Sequence, residues 1–303
     1  MKLIETSAEL LPFIAGEDGI YKMIERAGRT CYKSIDKMTD DSAKPFVERM
    51  IKSGHTAMLE HGTVYLKVPF PAYTEKEGIL YLKERDKTYI FYRMNPYSKV
   101  IITPKHDYLY ITTNYRCIIE NDKLNDLKYL CLPTEFHEKR YTFRMVTSIG
   151  VTRELNRHRV NSIAEQSTRY CNYSRDKFGG EVSFCIPAWM PQTEKSINTS
   201  DGFGVLVGEE LFAFLGKAER RYFYLLEQGW QPQQAREVLP LCTATEIVHT
   251  AFASDWRHFF DLRLFAKTGN PHPNMLLLAQ LMKAEAEKAG IWDDIMKQPS
   301  KFE

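Results

Sequence analysis

The sequence predicts a single α+β domain over residues 1–303, in which a mixed or antiparallel sheet is flanked by long helices. Three observations lead to this fold class. The chain is 44% hydrophobic and 13% aromatic, so its 303 residues can bury a sizeable core. Apolar residues recur at helical spacing in some segments and at alternate positions in others. No repeat, linker or low-complexity tract marks a domain boundary.

The first part of the chain is predicted to form a helix, a turn and a strand. Apolar residues at helical spacing predict a helix over 18–53, and Gly54 ends this pattern. A polar turn follows at 54–61, and the next segment predicts a strand at 63–68. From about 70 to 140, charged and aromatic residues mix without a clear period, which suggests an insertion or peripheral element. Within it we expect strands at 79–84 and 89–92 and a helix at 114–122.

The second half of the chain shows clearer patterns. Alternation predicts a strand at 141–147, Gly150 interrupts it, and a short helix is expected from Val151 to about Arg159. Gly229 ends a long amphipathic helix, and Ser254 is the expected N-cap of a later one. The remaining predictions are an extended piece at 184–187, a polar loop at 192–201, helices at 204–227, 233–239 and 255–265, a strand at 243–250, and a last helix from Pro273 to Gly290.

Charge and cysteine usage limit the possible function classes. Lysine and arginine total 41 against 39 acids, so a net charge of +2 disfavours nucleic-acid binding by a broad positive field. The six cysteines form no Cys-x-x-Cys pair, which predicts reduced thiols and no metal centre. No signal-peptide pattern and no membrane-spanning apolar run is present. We therefore expect a cytoplasmic protein that does not bind a membrane.

The segment 157–169 carries the most concentrated chemistry in the sequence. Three arginines, a histidine, a glutamate and two serines lie within it, and Arg153 stands one helical turn before Arg157. Guanidinium groups match phosphate, which suggests Arg157 and Arg169 as clamps, while Glu165 could accept from a base or a ribose. Ser162 and Ser167 add small donors. A nucleotide is the simplest ligand, and the alternative is a structural salt-bridge cluster at an oligomer interface.

A second cluster consists of His55, Glu60 and His61. These residue types resemble a metal-binding arrangement, but the histidines are six residues apart, whereas a His-Glu-x-x-His motif places them one helical turn apart. The alternative is a capped turn in which one histidine bonds the backbone. We predict no metal site here.

The third region combines Arg236 with the segment 254–263. On a helix, Ser254, His258 and Asp261 can share one face, and the aromatic residues between them would pack in the core. Arg236 and Arg263 are functional candidates, although an arginine in such a place is often a solvated end residue.

Taken together, these clusters resemble the flavin-dependent thymidylate synthases. Arg157-His158-Arg159, seven further residues and Ser167 match the RHR(x)₇S signature of that family. The His55 to His61 turn, the Arg236-x-Val-Leu-Pro segment and the His258 to Arg263 stretch follow the order of the family. The resemblance covers about residues 1–70 and 140–290.

The resemblance implies an activity and an assembly. Members convert dUMP to dTMP, take the carbon from 5,10-methylenetetrahydrofolate and use an FAD that NADPH reduces. They are homotetramers with active sites between subunits. Their unrelated counterparts use a cysteine in a Pro-Cys-His sequence, which is absent here, so Cys242 is interpreted as a packing residue.

The resemblance also implies residue roles. Arg263 would favour ionisation of the uracil N3, Ser167 would act as nucleophile or, as we prefer, orient dUMP, and His55 would lie beside flavin and folate. The implied cofactor-binding residues are Ala57, Glu60, Arg157, His158, Arg159, Glu165, Ser254 and His258. The implied substrate-binding residues are Glu154, Arg157, Glu165, Gln166, Ser167, Thr168, Arg169, Arg236 and Arg263.

Several positions depart from the family pattern. Ala57 stands where serine or threonine is frequent, and Glu154 stands where glutamine is common. Phe252 and Ser254 replace an asparagine and an arginine, and His258 replaces an asparagine. These changes affect expected contacts to FAD and dUMP. Two alternatives stay open, namely a related flavoenzyme acting on a modified pyrimidine nucleotide and a non-catalytic nucleic-acid-binding protein.

Overall fold

A computed structural model describes residues 1–69, 75–76, 79–80, 84–102, 108–175, 179–190 and 203–302. The predicted polar loop at 192–201 lies outside the described residues. The first elements are β1 (Lys2–Ile4), β2 (Ser7–Leu11), α1 (Gly16–Tyr32), a 3-10 helix (Ile35–Lys37) and α2 (Ala43–Lys52).

The prediction of one helix over 18–53 is wrong, because the chain forms two helices there. Lys33 ends α1 in the left-handed conformation with φ of 45°, and its N–H donates to carbonyls of the last turn. The Ser42 hydroxyl then accepts from the Thr39 N–H at 2.8 Å, forming a turn before α2. Polar residues between the two helices therefore serve as caps and turn residues.

The middle of the chain builds a three-stranded antiparallel sheet of order β3-β7-β6. Its elements are a 3-10 helix (Thr56–His61), β3 (Thr63–Pro69), β4 (Glu75–Lys76), β5 (Ile79–Leu80), α3 (Glu84–Met94), β6 (Lys99–Ile102), β7 (Tyr108–Asn114), α4 (Tyr115–Glu120) and a 3-10 helix (Leu124–Tyr129). The strand at 63–68 is confirmed. The helix at 114–122 is confirmed in its centre, with Asn114 as the N-cap that accepts from the Cys117 N–H at 2.9 Å.

Of the two strands expected at 79–84 and 89–92, the first is confirmed only at its start and the second is wrong. β5 occupies the start of the first, whereas the second is wrong because 89–92 belongs to α3. Tyr92 is fully buried against the sheet, and its hydroxyl donates to Asp126 at 2.9 Å. Tertiary packing therefore overrides the strand preference of the aromatic residues.

The elements of the second half of the chain are β8 (Arg140–Ser148), α5 (Ile149–Leu155), β9 (Ser162–Glu165), β10 (Ser183–Cys185), α6 (Phe203–Glu227), α7 (Pro232–Ala235), a 3-10 helix (Arg236–Val238), β11 (Ala244–Phe252), α8 (Ala253–Arg263), α9 (Pro273–Lys288) and α10 (Trp292–Met296). The predicted strands at 141–147 and 243–250 and the helices at 204–227, 255–265 and 273–290 are confirmed, whereas β9 and α10 were not predicted and the helices expected at 151–159 and 233–239 are shorter. The Ser254 N-cap is wrong. β11 extends to Phe252, which is the residue before the helix, and the Ser254 N–H donates to Glu138 at 3.1 Å.

The central sheet has the order β2-β8-β11-β9, and all its neighbouring strands are antiparallel. One face packs against α8 and α9 around Phe143, Met145 and Trp256, which are fully buried. On the other face, α1 contacts β9 and β11. The described chain thus has the α+β class that the sequence predicts, with β1 and β10 as an additional parallel pair.

Candidate active site

The arginines of the segment around α5 and β9 carry exposed positive charge. Arg153, Arg157, Arg159 and Arg169 are all exposed, and none forms an ion pair with a described residue. The guanidinium of Arg169 lies 5.2 Å from the ring of its neighbour Tyr170. Within the described part of one chain, Glu165 lies close enough to Arg153 to interact electrostatically but forms no ion pair with it, so the cluster is available to an anionic ligand or to a partner.

Arg263 is held in place at the end of α8. Its Nη1 donates to Glu154 at 2.8 Å, and its Nε donates to Nε2 of His158 at 3.2 Å. Because that nitrogen accepts, His158 is neutral in this contact. Burial, together with the charge of Arg263, lowers the pKa of His158 to about 4. The α5 and α8 ends thus place a carboxylate, a neutral imidazole and a guanidinium in one cluster.

His258 lies beside this cluster. Its ring is 6.1 Å from that of His158 and stacks on Phe302 at 5.7 Å. Burial lowers the pKa of His258, and its buried Nδ1 has no hydrogen-bond partner among the described residues. This nitrogen is available for a hydrogen bond to a bound molecule. Ser254 lies one turn earlier on α8 and is half-buried.

Glu165 ends β9 in a largely buried position. The Thr152 hydroxyl donates to its carboxylate at 2.8 Å. Burial raises the pKa of Glu165, and hydrogen bonds from Thr152 and Asn156 act in the opposite direction. The result is a carboxylate close to α5 that can accept from a ligand.

The chain then turns through Gln166, Ser167, Thr168 and Arg169. Gln166 is buried and its N–H donates to the Glu246 carbonyl at 2.7 Å. The Ser167 N–H donates to the Cys31 carbonyl at 2.9 Å, which fixes the turn at the C-terminal end of α1. The Ser167 hydroxyl oxygen accepts from the Arg169 N–H at 3.3 Å.

Arg236 approaches the same turn from the other side. Its Nη1 donates to the Thr168 hydroxyl at 2.9 Å. Both residues, with Arg153 and Leu241, line a pocket of about 320 Å³. Glu237 also lines this pocket, 3.8 Å from Nε of Arg236, so two guanidiniums and one carboxylate leave a positive charge that suits a phosphate group.

The turn at 55–61 separates its two histidines. His55 and Ala57 are exposed and line a pocket of about 340 Å³ together with Cys31. His61 instead points inward, where Nδ1 lies 2.9 Å from the Thr250 hydroxyl and burial lowers the pKa of His61 to about 3. The alternative of a histidine bonded to the backbone therefore does not apply to His61, because the partner of His61 is a side-chain hydroxyl.

The carboxylate of Glu60 forms an ion pair that the sequence patterns did not predict. Arg116, in the first turn of α4, donates to the Glu60 carboxylate at 2.7 Å and lines the pocket of His55 and Ala57. Tyr32 was also missed; it is exposed, and its ring lies 5.2 Å from that of Tyr170. No spacing pattern connects these residues, since the fold brings them together over long sequence distances.

The predicted site residues form two groups in the described chain. The Arg263 cluster and the Glu165 to Arg236 region are joined by α5, which carries both Glu154 and Thr152. Between the His55 to Glu60 turn and the Arg263 cluster, the described residues make no hydrogen bond, ion pair or ring contact.

Two further structural findings concern metals and membranes. In the described ranges, no group of three or more histidine, cysteine, aspartate or glutamate side chains is arranged to hold a metal ion. None of the described helices combines the length and the apolar character that crossing a bilayer requires.

Comparison with known proteins defines the class of protein. Residues 131–289, slightly more than half of the chain, match the family model described as thymidylate synthase complementing protein. The chain belongs to this family. The resemblance to flavin-dependent thymidylate synthases is thereby confirmed.

Individual relatives agree with the family. The flavin-dependent thymidylate synthases of two Thermus thermophilus strains are 33% and 32% identical over 128 residues, which are 41% of this chain. The matched stretch spans 44% of each relative's length, less than half. Among solved structures, the UMP/dUMP methylase PolB from Streptomyces cacaoi bound with 5-Br dUMP has a TM-score of 0.46 and 17% identity, covering 98% of this chain and 96% of that one. The same protein with 5-Br UMP has a TM-score of 0.45 and 16% identity, with 99% of both chains covered.

Proposed function

We propose that this chain is a flavin-dependent thymidylate synthase. It converts dUMP to dTMP, with 5,10-methylenetetrahydrofolate as carbon donor and NADPH as the reductant of an FAD cofactor. Family membership and the names of the Thermus relatives support this assignment. The proposed reaction consumes one NADPH, releases tetrahydrofolate, and replaces the proton at C5 of uracil with a methyl group.

The fixed position of Arg263 is the observation that carries the proposal. Glu154 and neutral His158 each accept one hydrogen bond from the guanidinium, which leaves its Nη2 group free of described partners. A guanidinium held in one orientation can stabilise the charge that develops on a uracil N3/O4 edge without first reorganising. Arg263 is therefore proposed as the residue that makes C5 nucleophilic.

The residues present suit FAD. Arg157 and Arg159 offer exposed guanidiniums without described ion-pair partners, and the buried Nδ1 of His258 lacks a hydrogen bond within the described chain. The diphosphate oxygens of FAD would accept from the two guanidiniums, and a polar atom of the flavin would bond Nδ1 of His258. His158, Glu165, Ser254, Ala57 and the Arg116-bound Glu60 complete the proposed cofactor-binding set. When bound and reduced, the flavin supplies the hydride.

The proposed dUMP pocket is the turn from Gln166 to Arg169 with Arg236. Arg236 and Arg153 would hold the nucleotide phosphate at the pocket they share. Glu165, together with Glu154, would accept from the base or sugar. The Ser167 hydroxyl has no acidic or imidazole group bonded to it in the described chain, which favours orientation of dUMP over nucleophilic attack. His55 is proposed to lie beside flavin and folate.

We propose a cytoplasmic homotetramer with active sites between subunits. The exposed arginines without described carboxylate partners and the separate location of the His55 turn both support a site that a second chain completes. The net charge of +2 supports a nucleotide, rather than a nucleic acid, as the anionic ligand.

The test uses the purified full chain. We expect flavin absorbance and release of tritium from C5-labelled dUMP that depends on both methylenetetrahydrofolate and NADPH. In Arg263→Ala, turnover should fall by a factor on the order of 100 to 1000, with FAD still bound. Arg221→Ala, which removes an exposed arginine of α6, is the control and should retain turnover.

Other outcomes separate the alternatives. A colourless protein that cannot be reconstituted with FAD would contradict the flavoenzyme assignment. Bound flavin without tritium release would favour a modified pyrimidine nucleotide as substrate. Salt-dependent binding of oligonucleotides without either property would favour the nucleic-acid-binding alternative.

A further inference from the structure

A third cavity includes His61, the last residue of the turn at 55–61, in its lining. It has a volume of about 200 Å³ and is bounded by the ends of β2 and β8, the first turns of α1 and the loop between α9 and α10. None of the residues assigned above to FAD or dUMP lines it. Its described lining is mainly apolar and includes Leu10, Leu11, Ile20, Met23 and Ile291.

A buried guanidinium forms part of the polar end of this cavity. Arg140 is 7% exposed, and its terminal nitrogens donate to the Glu60 carbonyl and the Thr63 and Ser162 hydroxyls. Its Nε has no hydrogen-bond partner in the described chain. Burial lowers the pKa of Arg140 to about 10, so the group stays charged at neutral pH.

No described carboxylate forms an ion pair with this guanidinium. The hydrogen-bond partners of Arg140 are a carbonyl and hydroxyls, and the Phe252 ring lies 5.4 Å from the guanidinium carbon. Glu60 and Asp255 favour the charged form of Arg140 without forming an ion pair, so this buried cation is only partly compensated, and a buried N–H without an acceptor adds to the cost. An anion in the cavity would pair with the cation and accept from the unbonded N–H, which would lower both costs.

His61 supplies a second unpaired nitrogen on the same lining. The residue is fully buried, Nδ1 contacts the Thr250 hydroxyl, and Nε2 has no partner among the described residues. Burial holds the pKa of His61 at about 3, so the ring is neutral at pH 7. In the tautomer whose Nδ1 accepts from the Thr250 hydroxyl, the proton lies on Nε2 and can be donated to an anion.

The apolar part has a defined size and an open rim. A cavity of about 150 Å³ accommodates benzene, so about 200 Å³ holds one ring with a short polar substituent. Phe13 and Ile14 line the cavity and are 45% and 43% exposed, which places them at the entrance. Lys139 also lines the cavity and is partly exposed, and its ammonium lies 3.9 Å from the Asp294 carboxylate.

We propose that this cavity binds a small organic acid with an aromatic or branched apolar body. Its carboxylate accepts from Arg140 Nε and His61 Nε2, and its body packs among the apolar residues of β2 and α1. The proposal does not rest on the proposed thymidylate synthase activity, although Arg140 also bonds the backbone of Glu60.

The test measures binding of three probes to the full chain by calorimetry. Phenylacetate has both the charge and the ring, phenylacetamide keeps the shape without the charge, and acetate lacks the ring. We expect phenylacetate to bind at least about tenfold more tightly than phenylacetamide, since charge-assisted hydrogen bonds are the stronger ones, and acetate more weakly than either. Equal affinity for the acid and the amide, or no measurable binding of phenylacetate at millimolar concentration, would overturn the proposal.

A pair of variants locates the binding. Ile14→Trp enlarges an exposed side chain at the entrance and should weaken phenylacetate binding at least about tenfold. Leu124→Trp enlarges a comparably exposed side chain that does not line the cavity and should bind as the unmodified chain does. If Ile14→Trp also binds like the unmodified chain, the acid binds elsewhere and the proposed site is wrong.

Discussion

His249 makes the protein sensitive to acid for a reason that can be tested with one substitution. It lies in β11 and is fully buried, with its ring centre 4.7 Å from that of Trp256. Neither ring nitrogen has a hydrogen-bond partner in the described chain. Burial lowers the pKa of His249 from the reference value of 6.5 to about 3.

The pH dependence follows from the sign of this shift. Below pH 6.5 the unfolded chain binds a proton at His249, while the folded chain does not until the pH approaches 3. Stability from this residue is therefore complete above pH 6.5 and is lost as the pH falls. One pH unit corresponds to about 1.4 kcal/mol, so the loss between pH 7 and 5 is about 2 kcal/mol.

His249→Leu should remove this loss. We expect the decrease in unfolding free energy between pH 7 and 5 to shrink by about 2 kcal/mol, measured by urea titration with tryptophan fluorescence. His249→Gln keeps polar atoms but cannot titrate, so it should flatten the pH dependence equally while differing from the leucine variant at pH 7. If both variants retain the full pH-dependent loss, His249 is not the neutral buried residue described above.

Three further predictions test local features. Asn114→Ala removes the N-cap of α4 and should lower the unfolding free energy by about 1 kcal/mol in urea titrations; an unchanged midpoint would contradict the cap. Gly19→Ala would place a Cβ 1.9 Å from the Ile14 carbonyl oxygen, so we expect a loss of about 1–3 kcal/mol in the same assay, and wild-type stability would refute this close approach. Thr152→Val removes a donor to Glu165 and should raise the pKa of that carboxyl further in a carbon-detected NMR titration, whereas a lower pKa would contradict the contact.

The elements that sequence patterns identified are those in which local and tertiary preferences agree. β8 and β11 alternate in the sequence because each has one face in the core, and their ends differ from the predictions by only one or two residues. The break between α1 and α2 was missed because Lys33 adopts a left-handed conformation without the usual glycine. At α3, packing of Tyr92 decided against the strand that its residue types favour.

The sequence predicted which residues belong to the candidate site, but it did not predict which of these residues contact one another. The motif from Arg157 to Ser167 and its order relative to Arg263 led to the family. The bond between Arg263 and His158 joins residues 105 positions apart, and no periodicity predicts it. The Arg116 contact with Glu60 was missed for the same reason, since it depends on how α4 packs against the preceding turn.

The ion pair of Arg116 and Glu60 makes the orientation of Glu60 depend on a residue that lies far from it in the sequence. Arg116 lies in α4, just after the stretch that separates β3 from α4. The N–H of the adjacent Tyr115 donates to the Gly62 carbonyl at 2.8 Å. A deletion in this stretch would remove the cation that orients Glu60 only if it extended into α4. A chain without Arg116 would need a cation from another part of the molecule to hold Glu60 in this orientation.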